Sequence, residues 1–221
     1  MAESTLLKSS IAKKVAMALS GLFLISFLSL HFFINFISVI DEDTFNEFSH
    51  FMGNNGLIQY VMQPVLILGV VFHFVMGFVL ELKNRSARPI AYAKYNGSAN
   101  SSWASRNMII SGLVVLAFLG VHFYDFWIPE MVYKYVDVNP IDETRYFGEM
   151  VHKFESPIRT GLYCVSFLLL SLHLWHGFNS SFQSVGFNNK FSKSLHKLGY
   201  AFAIVVPFGF IFIALFHHFN H

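Results

Sequence analysis

The stretch SGLFLISFLSLHFF, residues 20–33, recurs as SGLVVLAFLGVHFY, residues 111–124. The two stretches share a Ser-Gly-Leu opening, a Phe-Leu pair and a His-Phe pair at the same offsets. Each lies in an apolar run longer than the roughly 20 residues that a helix needs to cross a bilayer. The repeat therefore predicts two related membrane-spanning helices, each with one His inside it.

A second repeat links two other apolar runs. HFVMGF, residues 73–78, and HLWHGF, residues 173–178, share a His, a Gly four residues later and the Phe that follows it. One His thus lies inside each of four hydrophobic segments, and the four segments form two related pairs.

The composition is that of an integral membrane protein. Of the 221 residues, 54% are hydrophobic and only 13% are charged, against about 25% charged residues in soluble domains. The mean hydropathy is +0.50. The net charge is only +2 and no basic stripe is present, so nucleic acid is not expected as a partner. The one cysteine, Cys164, excludes a disulfide framework, a Cys-ligated iron–sulfur cluster and covalent haem attachment through C-x-x-C-H.

The hydrophobic runs predict an all-α bundle of five transmembrane helices that forms a single domain over residues 1–221. The first run spans about 25 residues, longer than the hydrophobic part of a signal peptide, so it is expected to be retained. Pro157 after Ser156 marks a helix start, with a cap followed by a first-turn proline. The predicted spans are 15–40, 57–82, 104–128, 157–185 and 195–219.

The charges between the spans predict the direction of the chain in the membrane. Lys and Arg are concentrated at the N-terminus and in the second and fourth connections, whereas the first connection carries four acidic residues and no Lys or Arg. By the positive-inside rule, the N-terminus is cytoplasmic and the C-terminus is periplasmic.

The four histidines fall at two depths. At about 1.5 Å per residue, His31 and His122 lie roughly 24–25 Å from the inner ends of their helices, and His73 and His173 lie roughly 15 Å from theirs. We call His31 and His122, on spans one and three, the outer pair. We call His73 and His173, on spans two and four, the inner pair. The two levels differ by about 10 Å on this count.

Two pairs of imidazoles from facing helices are what two bis-histidine haems require, and ionisable groups inside membrane spans are functional by default. Gly77 and Gly177 follow the inner histidines by one turn, where a side chain would strike a flat macrocycle. Gly21 and Gly112 lie near the depth of the inner pair and are expected to give clearance there. For any single one of these four histidines, the alternative to a ligand is a packing residue whose imidazole is hydrogen-bonded to its neighbours.

Other polar residues are weaker candidates for contact with a haem or a quinone. His176 could replace His173 as a ligand, or contact a haem propionate or a quinone. Arg106 could pair with an inner propionate. Asn35 and Asp125 could contact a propionate or a quinone, but they are expected to be hydrated at helix ends. The tail His217-His218…His221 is expected to lie outside without a role. The candidates for a quinone pocket are His50, Asn54 and Gln59.

The chain resembles the five-helix, two-haem cytochrome b subunits of succinate:quinone oxidoreductases, the succinate dehydrogenases and fumarate reductases. The resemblance covers the whole chain, the motifs that carry it lie in the first four spans, and the most specific is the stretch LHLWHGFNSSFQ. They are Ser20-Gly21…His31…Asn35, His73-x-x-x-Gly77, Arg106…Gly112…His122 and residues 172–183.

The resemblance implies two haem b groups, the inner one ligated by His73 and His173 and the outer one by His31 and His122. It implies a bacterial cytoplasmic (inner) membrane subunit that anchors a flavoprotein with FAD and an iron–sulfur protein on the cytoplasmic face. Electrons would pass between these partners and a quinone, usually menaquinone, as part of the tricarboxylic acid cycle or of fumarate respiration. The subunit would perform no dicarboxylate catalysis itself. Some fumarate reductases carry a proton-conducting glutamate where this chain has Ser171, so proton flow through that position is in doubt.

Other functions are compatible with parts of the pattern. The nearest is a two-haem cytochrome b subunit of another quinone-linked dehydrogenase, of the hydrogenase or nitrate reductase type. A di-iron desaturase or hydroxylase would need about eight histidines clustered at one face, whereas the histidines here are split between two depths. A transporter would need an ionisable pathway that the spans do not display.

Overall fold

A computed structural model describes residues 9–86, 107–187 and 191–221 of the chain. These residues form helices joined by short connections, and they contain no β-strand. Within the same ranges, five helices are long and apolar enough to cross a membrane. The prediction of an all-α membrane bundle with five spans is therefore confirmed.

Seven helices follow one another in the described part of the chain. The five long ones are α1, α3, α4, α6 and α7, and the two short ones, α2 and α5, lie in the first and third connections. Their bounds are α1 Ser10–Ile37, α2 Glu42–Asn54, α3 Ile58–Ser86, α4 Met108–Val136, α5 Arg145–Phe154, α6 Pro157–Ser184 and α7 Ser192–Asn220.

Polar caps explain where several helices begin. The Ser156 side chain accepts a hydrogen bond from the Arg159 N–H, and Pro157 occupies the first turn of α6, as the sequence predicts. Asp41 caps α2 by accepting a hydrogen bond from the Thr44 N–H at 2.8 Å. Hydrogen bonding to the side chain and the backbone of Thr44 lowers the pKa of Asp41, because it favours the charged carboxylate.

The helix of the third predicted span is longer than the span itself. The sequence predicts an end at Ile128, whereas α4 continues to Val136. Two π-helical turns, Phe123–Trp127 and Val132–Val136, lie on either side of the proline. A π-turn adds a residue to the helix and can absorb the clash and the missing N–H that a proline brings, so the span passes through Pro129. Residues 104–106 of the predicted span lie outside the described residues.

Helices α2 and α5 pack on each other and on the bundle, and this end of the bundle is called the capped end here. The main hydrophobic core lies beneath them. It joins α2, α5, the second halves of α1 and α7, and the first half of α6, through Ile34, Phe45, Phe147, Met150, Val151, Phe154, Tyr163, Phe167, Val206, Phe210, Ile213 and Ala214. The opposite end of the bundle is called the open end.

A buried amide joins the two short helices. The Asn46 Oδ1 accepts a hydrogen bond from the Phe147 backbone N–H at 2.8 Å, and the Asn46 side chain is 4% exposed. Without this acceptor the N–H at the start of α5 would be buried and unpaired, which costs about 1–3 kcal/mol.

We therefore expect Asn46→Ala to lower the free energy of unfolding by about 1–3 kcal/mol. The midpoint of thermal unfolding in detergent measures this, with Asn220→Ala as the control because Asn220 is exposed and bonds only within its own helix. Equal midpoints for Asn46→Ala and the wild type would contradict the structural role of this bond.

The histidine tail takes part in the core, contrary to the expectation that it has no role. His217 is 0% exposed, and its Nε2 lies 2.9 Å from the Ser38 Oγ. The ring of His217 also packs against Phe147 with ring centroids 5.5 Å apart. His218 Nδ1 lies 2.8 Å from the backbone oxygen of Phe154. These contacts hold the end of α7 against α1 and α5.

Candidate functional site

The structure brings the two inner histidines together across the bundle. His73 on α3 and His173 on α6 have ring centroids 6.4 Å apart and ring planes inclined by 71°. They are separated by 100 residues in the chain, so only the packing of the bundle makes them neighbours.

The outer histidines form a second pair nearer the capped end. His31 on α1 and His122 on α4 have ring centroids 5.7 Å apart and ring planes inclined by 81°. Aromatic rings surround them. Phe27 stacks on His31, and Phe210 of the core lies 5.8 Å from it. His122 packs against Phe126 with centroids 5.2 Å apart.

The spacing of both pairs is close to that of two axial ligands on one metal. Two imidazole nitrogens that bind a metal from opposite sides, at about 2.0–2.1 Å each, place the ring centres about 6.3 Å apart once about 1.1 Å is added inside each ring. The inner pair matches this separation, and the outer pair is slightly closer. The separations between the paired imidazoles therefore agree with those of two histidines that bind one metal.

The two pairs lie further apart along the bundle than the sequence predicts. His73 lies level with Ser20 of α1, because their side chains are in contact. His31 follows Ser20 by eleven residues on the same helix, a rise of about 16 Å. The same interval separates Ser111, which contacts His173, from His122. The predicted difference of about 10 Å is too small because it assumes that the inner ends of all the spans lie at one depth.

Two serines contact the inner pair, and the sequence analysis assigned them no role. The Ser20 Oγ lies 3.0 Å from Nδ1 of His73, and the Ser111 Oγ lies 3.2 Å from Nδ1 of His173. Both belong to the repeated Ser-Gly-Leu, so the repeat itself was the signal that could have identified them.

Gly21 and Gly112 lie beside the inner histidines. A Cβ at Gly21 would lie 3.1 Å from the Ser181 Oγ and 3.4 Å from Cε1 of His73, and one at Gly112 would lie 3.4 Å from Cε1 of His173. Gly21 and Gly112 thus let α1 and α4 approach the helices that carry the inner histidines.

Gly77 and Gly177 also occupy equivalent positions. A Cβ at Gly77 would lie 3.6 Å from the terminal methyl of Met17, and one at Gly177 would lie 3.2 Å from that of Met108. Both neighbours are flexible side chains that adapt to the space available to them. Clearance for a macrocycle at these two glycines stays a prediction.

Asp125 is buried, so the expectation that it is hydrated at a helix end is wrong. It is 2% exposed, since α4 continues beyond it and α6 covers it. The Tyr163 hydroxyl donates to Asp125 Oδ2 at 2.9 Å, and Arg159 lies 3.5 Å from Oδ1. Tyr163 also packs against His122. A buried, charge-paired group thus lies one turn from the outer pair. Asn35 donates to the backbone oxygen of His31 at 2.8 Å.

The three quinone candidates lie at the capped end, but not in one cluster. Asn54 Nδ2 lies 3.1 Å from His50 Nδ1 and donates to the Tyr146 hydroxyl at 3.1 Å. Gln59 instead donates to the Tyr135 hydroxyl and so joins the outer ends of α3 and α4. No described contact joins Gln59 to His50 or Asn54.

A partly buried ion-pair cluster at the capped end was not predicted. Glu130 of α4 pairs with Lys134 and with Arg145, and Arg145 also bonds Glu149 at 2.7 Å. Burial lowers the pKa of Arg145, but its hydrogen bonds to the two glutamates outweigh this and raise the pKa above the ordinary value. The cluster holds α5 against the end of α4.

Three other candidate positions have simpler surroundings. His176 is partly buried, and it is His173 that the structure places against His73. The Ser171 hydroxyl donates to the Ala203 backbone oxygen at 2.6 Å, so this position joins α6 to α7. Arg106 lies outside the described residues.

Among the described residues, no group of three or more His, Cys, Asp or Glu side chains converges on one point. His31 contacts His122, and His73 contacts His173. Two protein ligands are enough for a haem, whose other iron ligands belong to the porphyrin, whereas metal sites built from protein alone commonly use three or four.

The chain matches no protein-family model, no curated protein and no solved structure. The resemblance to two-haem cytochrome b subunits therefore rests on the sequence motifs alone.

Proposed function

We propose that this chain is the haem-containing membrane anchor of a succinate:quinone oxidoreductase. It passes electrons between an iron–sulfur subunit and a quinone through two haem b groups. The whole chain forms one cytochrome b domain in a bacterial cytoplasmic membrane. Dicarboxylate chemistry belongs to a flavoprotein partner with FAD, and menaquinone is the expected quinone.

The observation that carries the proposal is the pair of cross-helix imidazole contacts. The fold juxtaposes His31 with His122 and His73 with His173, in the combinations that the repeats predict. The two levels differ by about 16 Å along the helices, so one pair lies in each half of a hydrocarbon core about 30 Å thick. An electron-transfer chain across a membrane needs sites arranged in this way.

The role of the chain's own residues would be to hold the two haems and to exclude water from them. When bound, an iron porphyrin supplies one-electron redox chemistry. The four histidines would supply the nitrogens that hold the iron, and the glycines would leave room beside the inner pair. The aromatic rings around His31 and His122, together with the core under α2 and α5, shield the outer level. His176 and Arg106 are candidates for contact with the inner propionates.

Charge favours the open end as the cytoplasmic side and as the docking face for the partner subunits. The described helix ends there carry Lys13, Lys14, Lys83, Arg85, Lys193 and Lys197. The first connection, at the capped end, carries Asp41, Glu42, Asp43 and Glu47. By the positive-inside rule the N-terminus is cytoplasmic and the C-terminus is periplasmic.

A quinone would exchange electrons with the outer site near the capped end, where His50, Asn54 and Gln59 offer polar side chains at the edge of the bundle. Ser171 cannot replace a proton-conducting carboxylate, because its hydroxyl is not ionisable at physiological pH and is already bonded to a backbone carbonyl.

A reduced-minus-oxidised spectrum of the purified native complex tests the proposal. We expect b-type bands with two haems per chain, together with a co-purifying flavoprotein and an iron–sulfur protein. A colourless chain, or one with a single haem, would overturn the hypothesis that the chain binds two haems. Two haems with hydrogenase or nitrate reductase subunits would keep the cytochrome and replace its partners.

A further inference from the structure

The serine hydroxyls beside the inner pair each bridge two groups. The Ser20 Oγ donates to the Met17 backbone oxygen at 2.8 Å and lies 3.0 Å from His73 Nδ1. The Ser111 Oγ donates to the Met108 backbone oxygen at 3.0 Å and lies 3.2 Å from His173 Nδ1. The contacts of Ser20 with His73 and of Ser111 with His173 thus have the same arrangement.

Proton counting favours one tautomer of both imidazoles. A serine hydroxyl has a single proton to donate, and the carbonyl of its own helix is within reach of it in both halves of the repeat. With that proton on the carbonyl, the oxygen accepts from the imidazole, and Nδ1 of His73 and of His173 carries a hydrogen. In a neutral imidazole the other nitrogen, Nε2, is then unprotonated and can bind a metal.

The outer pair lacks this arrangement. His122 Nδ1 is buried and has no hydrogen-bond partner among the described residues. His31 Nδ1 faces the Asn35 amide nitrogen at 3.4 Å. No serine hydroxyl in the described contacts serves either ring. The hydrogen bonding of the inner pair therefore differs from that of the outer pair, although the two serines and the two outer histidines belong to the same repeat.

We propose that Ser20 and Ser111 are positioning residues of the inner iron site, where each hydroxyl accepts a hydrogen bond from a ligand histidine. This inference rests on the proposed haem-binding function. Each bond orients its ring with Nε2 free for the metal and increases the electron density that the imidazole donates. Hydrogen bonds of this kind from metal-bound histidines raise ligand basicity, which stabilises ferric iron more than ferrous iron.

Alanine variants test this inference. In the native complex, Ser20→Ala and Ser111→Ala are each expected to keep two haems and to raise the midpoint potential of the inner haem. A tenfold change in the ferric-to-ferrous stability ratio corresponds to about 59 mV for one electron. The outer haem should keep its potential, and Ser20→Thr, which retains the hydroxyl, should stay near the wild type.

Ser26→Ala is the matched control. Ser26 lies on the same helix and donates to the Leu22 carbonyl at 3.0 Å, with no imidazole contact described. An unchanged inner potential in both alanine variants, or an equal shift in Ser26→Ala, would overturn the inference. If Ser20→Ala loses the inner haem, Ser20→Thr decides: retention supports the need for a hydroxyl, and equal loss refutes it.

A second measurement separates this inference from the proposed function. Nitrogen-15 NMR of the full chain without haem, labelled at histidine, reports the tautomers of His73 and His173 directly. We expect the Nδ1–H form in the wild type and a mixture in Ser20→Ala and Ser111→Ala. The opposite tautomer in the wild type would refute the hydrogen bonds, whether or not the native protein contains haem.

Discussion

Replacement of His122 by alanine is expected to reduce the haem content from two groups per chain to one. The ring packs against Phe118, Phe126 and Tyr163 and faces His31 across the bundle. Alanine removes one of the two nitrogens that would hold the outer iron, and His31 alone cannot provide the second. Haem extraction and the reduced-minus-oxidised spectrum measure the loss, and succinate oxidation with a soluble dye should persist because it needs only the partner subunits.

The partner substitution supplies a control. His31→Ala should cause the same loss, and the double variant should lose no more than either single one, because both residues serve one group and their effects are not additive. If His122→Ala retains both haems, the outer pair is not an axial pair.

Replacement of His173 by alanine is expected to remove the inner haem and to reduce the amount of assembled complex. The inner pair joins α3 to α6, and Ser20 and Ser111 bring α1 and α4 against the same two rings. Without haem, the remaining imidazole and the glycines beside it would border an unfilled space, and unfilled interior space destabilises a fold. Haem per chain, and the amount of flavoprotein retained in the membrane, are the measurements.

His176→Ala is the matched comparison, because His176 lies three residues further along the same helix and is only partly buried. We expect it to keep both haems. Retention of two haems in His173→Ala, with loss of one in His176→Ala, would reverse the assignment of the inner ligand.

Much of the site could be predicted because its main signals are local. Apolar runs longer than 20 residues identify the five spans by length alone. A constant rise per residue then assigns depths, and the repeated His and Gly offsets assign partners. The pairs His31–His122 and His73–His173 follow from this counting before any packing is known, and the structure brings them together as counted.

The features that counting missed depend on contacts between distant segments. The hydrophobic runs predict no helix in the first and third connections, yet α2 and α5 are helices that bury Phe45, Phe147 and Asn46 against each other. The third span is predicted to end at Ile128, and only the structure shows that α4 continues past Pro129, with a π-turn on either side of it. Asp125 reads as a hydrated end for the same reason, and it becomes buried once the helix extends and α6 covers it.

The sequence by itself therefore determined that the chain is a five-span helical bundle, and it determined which histidines share a level. Both follow from hydrophobicity and helical rise, which act along one segment at a time. Only the tertiary structure decided the distance between the two levels, the closure of one end by α2 and α5, and the serine hydroxyls that orient the inner imidazoles. These three features depend on how the helices pack against one another. That packing is determined by side chains far apart in the chain, so it produces no periodic pattern within a single segment.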